Sequence, residues 1–251
     1  MTKRAFQLGL LLVVLLGCGR VAVGQTKGYE CTYLERTSLS EQFKDMEDSP
    51  VKQAIVEALS KQKNFYKLTF CNGKSLFTRD KKQNADVSSS RITFVMGSED
   101  GSVVFTDHVA HRRVTQESFY GRKFLINETT EAKAWTIHNE TKTVAGHVCT
   151  KATLGDSASE QQVTAWFAQS IPIPSGPAGF DGLPGLICEL DMGVLVYTLQ
   201  DLHVVTNPNT VEEPKKGKKV SREEFVKIQT ERLSKMQSEL PEGASIQVIQ
   251  P

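Results

Sequence analysis

The chain has 251 residues, 30 Lys and Arg against 29 Asp and Glu, and five cysteines. That length can bury a sizeable core in one large domain or two small ones. A formal charge of +1 gives no reason to expect nucleic acid as a partner, and 24% charged with 39% apolar residues excludes a disordered chain and a polytopic membrane protein.

The first element is an export signal. Lys3 and Arg4 precede an apolar run over residues 8–16 that ends at Gly17 and Cys18. This run is too short to cross a bilayer core of ~30 Å as a helix. Ala22-Val23-Gly24 puts small residues where a signal peptidase reads them, so residues 1–24 are expected to be removed before Gln25. The alternative is that Leu15-Leu16-Gly17-Cys18 acts as a lipobox and Cys18 becomes a lipidated N-terminus. Removing Lys3, Arg4 and Arg20 leaves 27 basic against 29 acidic residues, a formal charge of −2. It also leaves Cys31, Cys71, Cys149 and Cys188. Four cysteines in an exported chain read as up to two disulfides with three connectivities, or as four reduced, buried thiols.

The remainder is expected to be mainly β, with an antiparallel sheet that is curved or forms an open half-barrel. Residues 29–34 have strand composition. Ser49 as N-cap, Pro50 at the first helical position and the stripe Val51, Ile55, Ala58, Leu59 predict a helix after that strand. Asn72-Gly73 predicts a type I′ hairpin between residues 65–71 and 74–77. After a polar loop over 79–90, Asp100-Gly101 marks a second turn between strands 91–96 and 102–108. Further strands are expected over 119–127, 134–138, 147–154, 162–167, 186–190 and 194–205. Residues 214–220 read as a basic linker, with four lysines between Pro214 and Lys219. That linker is either a solvated loop or a phosphate or membrane contact. Ser221-Arg222-Glu223-Glu224 is a capping box, and Phe225, Ile228, Leu233, Met236 and Leu240 give the C-terminal helix one apolar stripe. A single β-rich domain over 25–213, with the helix and tail of 221–251 packed on it, is the expected organisation.

One segment stands apart. Between Ile171 and Ile187, Gly176, Gly179, Gly182 and Gly185 recur every third residue, with Pro177 and Pro184 among them. The run is too short for collagen and reads as a rigid Ω-like connection. Phe180, Leu183, Leu186 and Ile187 are its candidate anchors. The candidate binding residues of this loop are Pro177, Phe180, Gly182, Leu183, Pro184, Gly185, Leu186 and Ile187. Their role is either to plug the sheet or to contact a ligand.

Gly182-Leu183-Pro184-Gly185-Leu186-Ile187 is the motif for which the GLPGLI family is named, and the chain resembles that family well beyond it. Thr141-Lys142-Thr143-Val144-Ala145-Gly146-His147-Val148-Cys149-Thr150-Lys151-Ala152 looks like another family segment. So do Ala165-Trp166-Phe167, Ile171-Pro172-Ile173, Gly176-Pro177, Ser75-Leu76-Phe77 and Ser221-Arg222-Glu223-Glu224-Phe225. The resemblance covers roughly residues 28–235. It implies an exported protein of a two-membrane bacterium of the Bacteroidetes, at the periplasm or outer-membrane surface, and implies no reaction. His147 stands where the family has an aromatic residue, and Cys188 where a hydrophobic residue is usual. A Cys149–Cys188 bridge in this protein would have Cys31–Cys71 as its complement, with the strands 29–34 and 65–71 as neighbours.

Catalytic patterns for serine hydrolases, nucleotide binding and zinc peptidases do not occur in the sequence. His108-Val109-Ala110-His111 has metal-like spacing, but on a strand its histidines would face opposite ways. His147 and Cys149 share a strand face and are weak candidates for copper or zinc, with His138 or Cys188 as further ligands. Asp181, Glu189 and Asp191 are candidates for an acid/base pair in a hydrolase of unfamiliar type. Asp156-Ser157-Ala158 resembles a short O-glycosylation motif. The leading expectation is a non-enzymatic binding or envelope-assembly protein without cofactor. It would use a concave apolar surface and the loop against an envelope protein, peptide or hydrophobic ligand. No transmembrane span is expected after signal removal.

Overall fold

The computed structural model describes residues 27–37, 49–50, 53, 57, 63–83, 101–155, 162–193, 195–206 and 211–238, with side chains to 235. Residues 1–24, the strand expected over 91–96, the Asp156 motif, Met236 and Leu240 as stripe residues, and most of the helix expected after the first strand lie outside this set. Of that helix only Ser49, Pro50, Gln53 and Glu57 are described, with Gln53 N donating to Ser49 O at 3.0 Å, and the helix is not shown.

The first six strands are β1 (Lys27–Thr37), β2 (Asn64–Cys71), β3 (Lys74–Arg79), β4 (Val103–Asp107), β5 (Arg112–Phe119) and β6 (Arg122–Thr129). They are followed by β7 (Thr136–Val144), β8 (His147–Leu154), β9 (Val163–Ala168), β10 (Leu186–Asp191), β11 (Leu195–Thr206) and β12 (Lys218–Val220). One helix, α1 (Arg222–Ser238), closes the described chain. All twelve strands form one sheet in the order β12-β6-β5-β4-β3-β2-β1-β11-β10-β9-β8-β7, and the sheet is not closed into a barrel. Two meanders, β2 to β6 and β7 to β11, are joined by β1, which lies between β2 and β11 and is antiparallel to both.

Local chemistry explains most of the turns. Asn72 and Gly73 both sit at positive φ, +51° and +69°, as a type I′ hairpin requires. The same geometry recurs at Tyr120-Gly121 and Ala145-Gly146. Tyr120 is a poor residue for φ of +49°, so the sequence reading ran one strand over 119–127 where the molecule makes a hairpin between β5 and β6. The supposed linker at 214–220 also needs correction. Its end is β12, which pairs parallel with β6 and seats Val220 opposite Ile126.

The cross-strand row Cys31, Leu68, Phe77 and Val104 defines the main apolar face. Tyr33, stacked Tyr66 and Phe77, and Tyr197 extend it as an aromatic cluster. Farther along, Phe124 and Ile126 of β6 meet Val220 and Phe225, so α1 covers that end of the sheet. The capping box that starts α1 is complete: Glu224 N donates to Ser221 Oγ at 3.2 Å, and Ser221 N to Glu224 Oε2 at 3.0 Å. Replacing Ser221 by Ala should lower stability by about 1 kcal/mol. Phe225→Ala, which empties a side chain only 2% exposed, should cost about 3 kcal/mol. Urea unfolding of the two variants checks both the cap and the docking of the helix.

Candidate functional site

The segment 171–187 folds back on itself between β9 and β10 and lies on the apolar face of the sheet. Leu186 N donates to Ile171 O and Ile187 N to Ser175 O, both at 3.1 Å, which closes the loop at its base. A one-residue bridge joins Ser175 to Asp181, and a single 3-10 turn spans Pro177–Gly179. Leu183, Leu186 and Ile187 are at most 2% exposed and join the main core, and Pro177 and Gly185 are also buried. Gly182 and Pro184 are exposed, and Phe180 is half-buried. The anchors therefore face inward and the rim faces outward. Two of the glycines are required by close approach. A Cβ at Gly176 would lie 2.6 Å from Ile187 Cβ, and one at Gly185 would lie 2.2 Å from Ala168 O.

Polar chemistry concentrates where the loop meets β4, β5 and the segment before β7. Asp181, 8% exposed, receives Arg113 Nη2 at 2.9 Å on Oδ2 and the Lys133 ammonium on Oδ1. Arg113 also donates to Gly179 O, and Trp135 Nε1 donates to Asp181 O at 2.9 Å. Asp181 is thus a clamp for the loop, held on both carboxylate oxygens by two half-buried cations. The Lys133 ammonium stands 5.9 Å from the centre of the Phe180 ring, and Trp135 and Phe180 pack 6.3 Å apart, centroid to centroid.

Ser75, Thr106 and Arg113 form a row across β3, β4 and β5 beside this clamp. His108 borders the row, with Nε2 3.0 Å from Ser75 Oγ and its ring 5.8 Å from that of Phe70. Burial holds His108 below its ordinary value of 6.5, against an opposing pull from Asp181.

The other sequence candidates are dispersed. Glu189 pairs with Lys142 at 2.6 Å, and Asp191 Oδ1 accepts from Gly193 N at 2.8 Å, so each of the three acidic candidates holds its own contact. His108 and His111 do not lie on a strand; they belong to the turn between β4 and β5. His138 Nε2 lies 2.8 Å from Thr153 Oγ1, and the Cys149 thiol donates to the backbone O of His147. Among the described residues no group of three or more His, Cys, Asp or Glu is arranged to hold a metal ion.

All four described cysteines are free thiols. Cys31 sits opposite Leu68 while Cys71 sits opposite Gly28, so the expected Cys31–Cys71 partners point to opposite faces of the β1–β2 pair. Cys149 and Cys188 are both fully buried and unbridged, and each thiol donates to a backbone carbonyl, Cys149 to His147 O and Cys188 to Leu186 O. The neighbouring Cys149 thiol and burial push the Cys188 thiol up, and burial pushes Cys31 up to about 12.

Sequence reasoning also missed a network at the aromatic cluster. Glu35 accepts from Tyr197 Oη at 2.7 Å and from Asn64 Nδ2 at 2.9 Å, and Arg79 Nη2 donates to Asn64 Oδ1 at 2.8 Å. Burial first, then the nearby Glu35 charge, raises the Tyr66 and Tyr197 hydroxyls well above the ordinary range. The only advance signal was that Glu35 continues the inward alternation of Cys31 and Tyr33.

Comparison with known proteins adds fold and family context. Residues 155–189, which contain the loop, match a family model described as "Protein of unknown function (Porph_ging)". No curated protein matches the sequence. Among solved structures, PNGF-II in its P21 crystal form is similar, with a TM-score of 0.54 and 12% identity over 80% of this chain and 33% of that one. The C2 form gives 0.53 and 13%, over 80% and 32%. At such identity the likeness is one of fold, and this chain spans about a third of the PNGF-II chain.

Two measurements check this site. With thiol reagent at about pH 8, native protein should react quickly at half-buried Cys71, and at Cys31, Cys149 and Cys188 only on unfolding. A histidine depressed on folding contributes stability that is whole above its unfolded value and is lost as pH falls through its folded value. The melting temperature should therefore drop more steeply below about pH 6.5 in the wild type than in His108→Gln, which can still bond Ser75.

Proposed function

We propose that this is an exported envelope protein of the GLPGLI type that binds a partner and carries out no reaction, with the outer rim of the 171–187 loop as its contact surface. The export signal in residues 1–24 and the motif Gly182-Leu183-Pro184-Gly185-Leu186-Ile187 support the address. The observation that carries the binding reading is the half-exposed Trp135–Phe180 pair, set beside exposed Gly182 and Pro184 on a loop whose apolar anchors are buried. A Cβ at Gly182 would lie 3.8 Å from the Trp135 ring, so indole and motif form one continuous surface. Because the anchors and the Asp181 clamp fix the loop beforehand, a partner loses little binding energy in ordering it. The apolar face of the sheet supports the loop from beneath, and the partner of best fit is an envelope protein or peptide that offers apolar groups to the two rings.

Pull-down from envelope extracts tests this with wild-type protein and with Trp135→Ser/Phe180→Ser. The variant should lose partners that the wild type retains while unfolding at a similar urea concentration. Identical partner profiles from two equally stable proteins would overturn the proposal.

A further inference from the structure

The basic stretch after Pro214 is built into the fold. β12 runs parallel to the edge strand β6, with Lys218 opposite Phe124 and Lys219 opposite Leu125. Val220 is 6% exposed in the cluster with Phe124, Ile126 and Phe225. Gly217 lies so close to β6 that a Cβ there would meet the Lys123 carbonyl carbon and oxygen at 2.9 Å. The lysines before and within β12 are thus held in register against β6, unlike those of a free linker.

That register assembles charge at one end of the sheet. Lys215, Lys216 and Lys218 are exposed beside exposed Arg122 and Lys123 of β6. The β5–β6 turn at the same end presents Tyr120, 41% exposed, with the Arg232 guanidinium of α1 4.9 Å from its ring centre. Among the described acids beside this patch, Glu213 is paired with Arg112 and Glu231 with Lys227, and exposed Glu212 is one carboxylate against Lys215, Lys216, Lys218, Arg122 and Arg232. Exposed Val226 adds apolar surface on the same helix.

We propose that this end of the molecule docks on an anionic lipid surface, the lysines and arginines lying over the headgroups and Tyr120 entering the interface. A tyrosine with one guanidinium on its ring and lysines on the neighbouring strand is an arrangement that a bilayer interface favours, since the ring is amphipathic and each nearby cation strengthens partition about fivefold. A nucleic-acid partner is less well matched, because the chain as a whole has no basic excess, with 30 Lys and Arg against 29 Asp and Glu. The surface is separate from the Trp135–Phe180 rim, so either reading can fail alone.

The test is vesicle flotation of the full chain, as released by an exporting host, with phosphatidylglycerol–phosphatidylcholine vesicles and with phosphatidylcholine alone. Binding to the anionic vesicles should be more than tenfold stronger and should collapse in high salt. It should fall more than tenfold in Lys216→Glu/Lys218→Glu, and it should persist in Trp135→Ser/Phe180→Ser. Arg122→Glu/Lys215→Glu repeats the test should the first pair unfold the protein. Equal binding to both vesicle types, or binding unchanged by charge reversal in a folded variant, overturns the proposal. So does patch-dependent capture by single-stranded DNA or inorganic phosphate without vesicle binding.

Discussion

A twelve-stranded open sheet has a wider apolar face than one helix can cover, and keeping that face dry is the constraint on which the structure depends. The molecule divides the task. The helix α1 covers the β6 end through Phe225, while the middle is covered by irregular chain that drives Leu183, Leu186 and Ile187 into the core. A loop can do a helix's work only if its backbone comes very close to its neighbours and its polar groups are satisfied. The glycines at 176 and 185 meet the first condition, and the internal turns with the Asp181 clamp meet the second.

The same constraint explains why the polar chemistry lies where it does. A carboxylate at 8% exposure is tolerable because two cations and a backbone bridge surround it. Arg113 and Lys133 reach it from opposite sides, and each is partnered, so the cluster fastens the covering segment to the sheet. Tyr33 does similar work from within the sheet, donating to Ile187 O at 2.7 Å where the loop becomes β10. The motif that stands out in the sequence is mostly a packing motif, and its surface chemistry is confined to the outer rim.

How much was readable in advance follows from the range of each interaction. The Asn72-Gly73 hairpin, β8 over 147–154 and the capping box at Ser221 rest on neighbouring residues, and the sequence announces them. The hairpin at Tyr120-Gly121 was missed because a tyrosine does not advertise positive φ. β12 read as a linker because its strand character comes only from pairing with β6. The inward fate of Leu183 and Ile187 was one of two open readings, decided by packing that no local pattern encodes. The Asp181 partners are 68, 48 and 46 residues away in sequence, at Arg113, Lys133 and Trp135, with no spacing to betray them. The Cys31–Cys71 proposal failed on register: pairing of their strands was right, but the offset sends the two side chains to opposite faces.

The place of β1 has a consequence for how the chain is made. That strand is the seam between the two meanders and needs β11, residues 195–206, which follows it by more than 150 residues in sequence. Until β11 is in place, β1 is paired only with β2, and the covering loop has no complete surface to close on. The meanders pair neighbouring strands, so closing the sheet waits on one pairing distant in sequence, that of β1 with β11. A polypeptide whose sheet cannot close before β11 has been made stays open until then to chaperones and proteases.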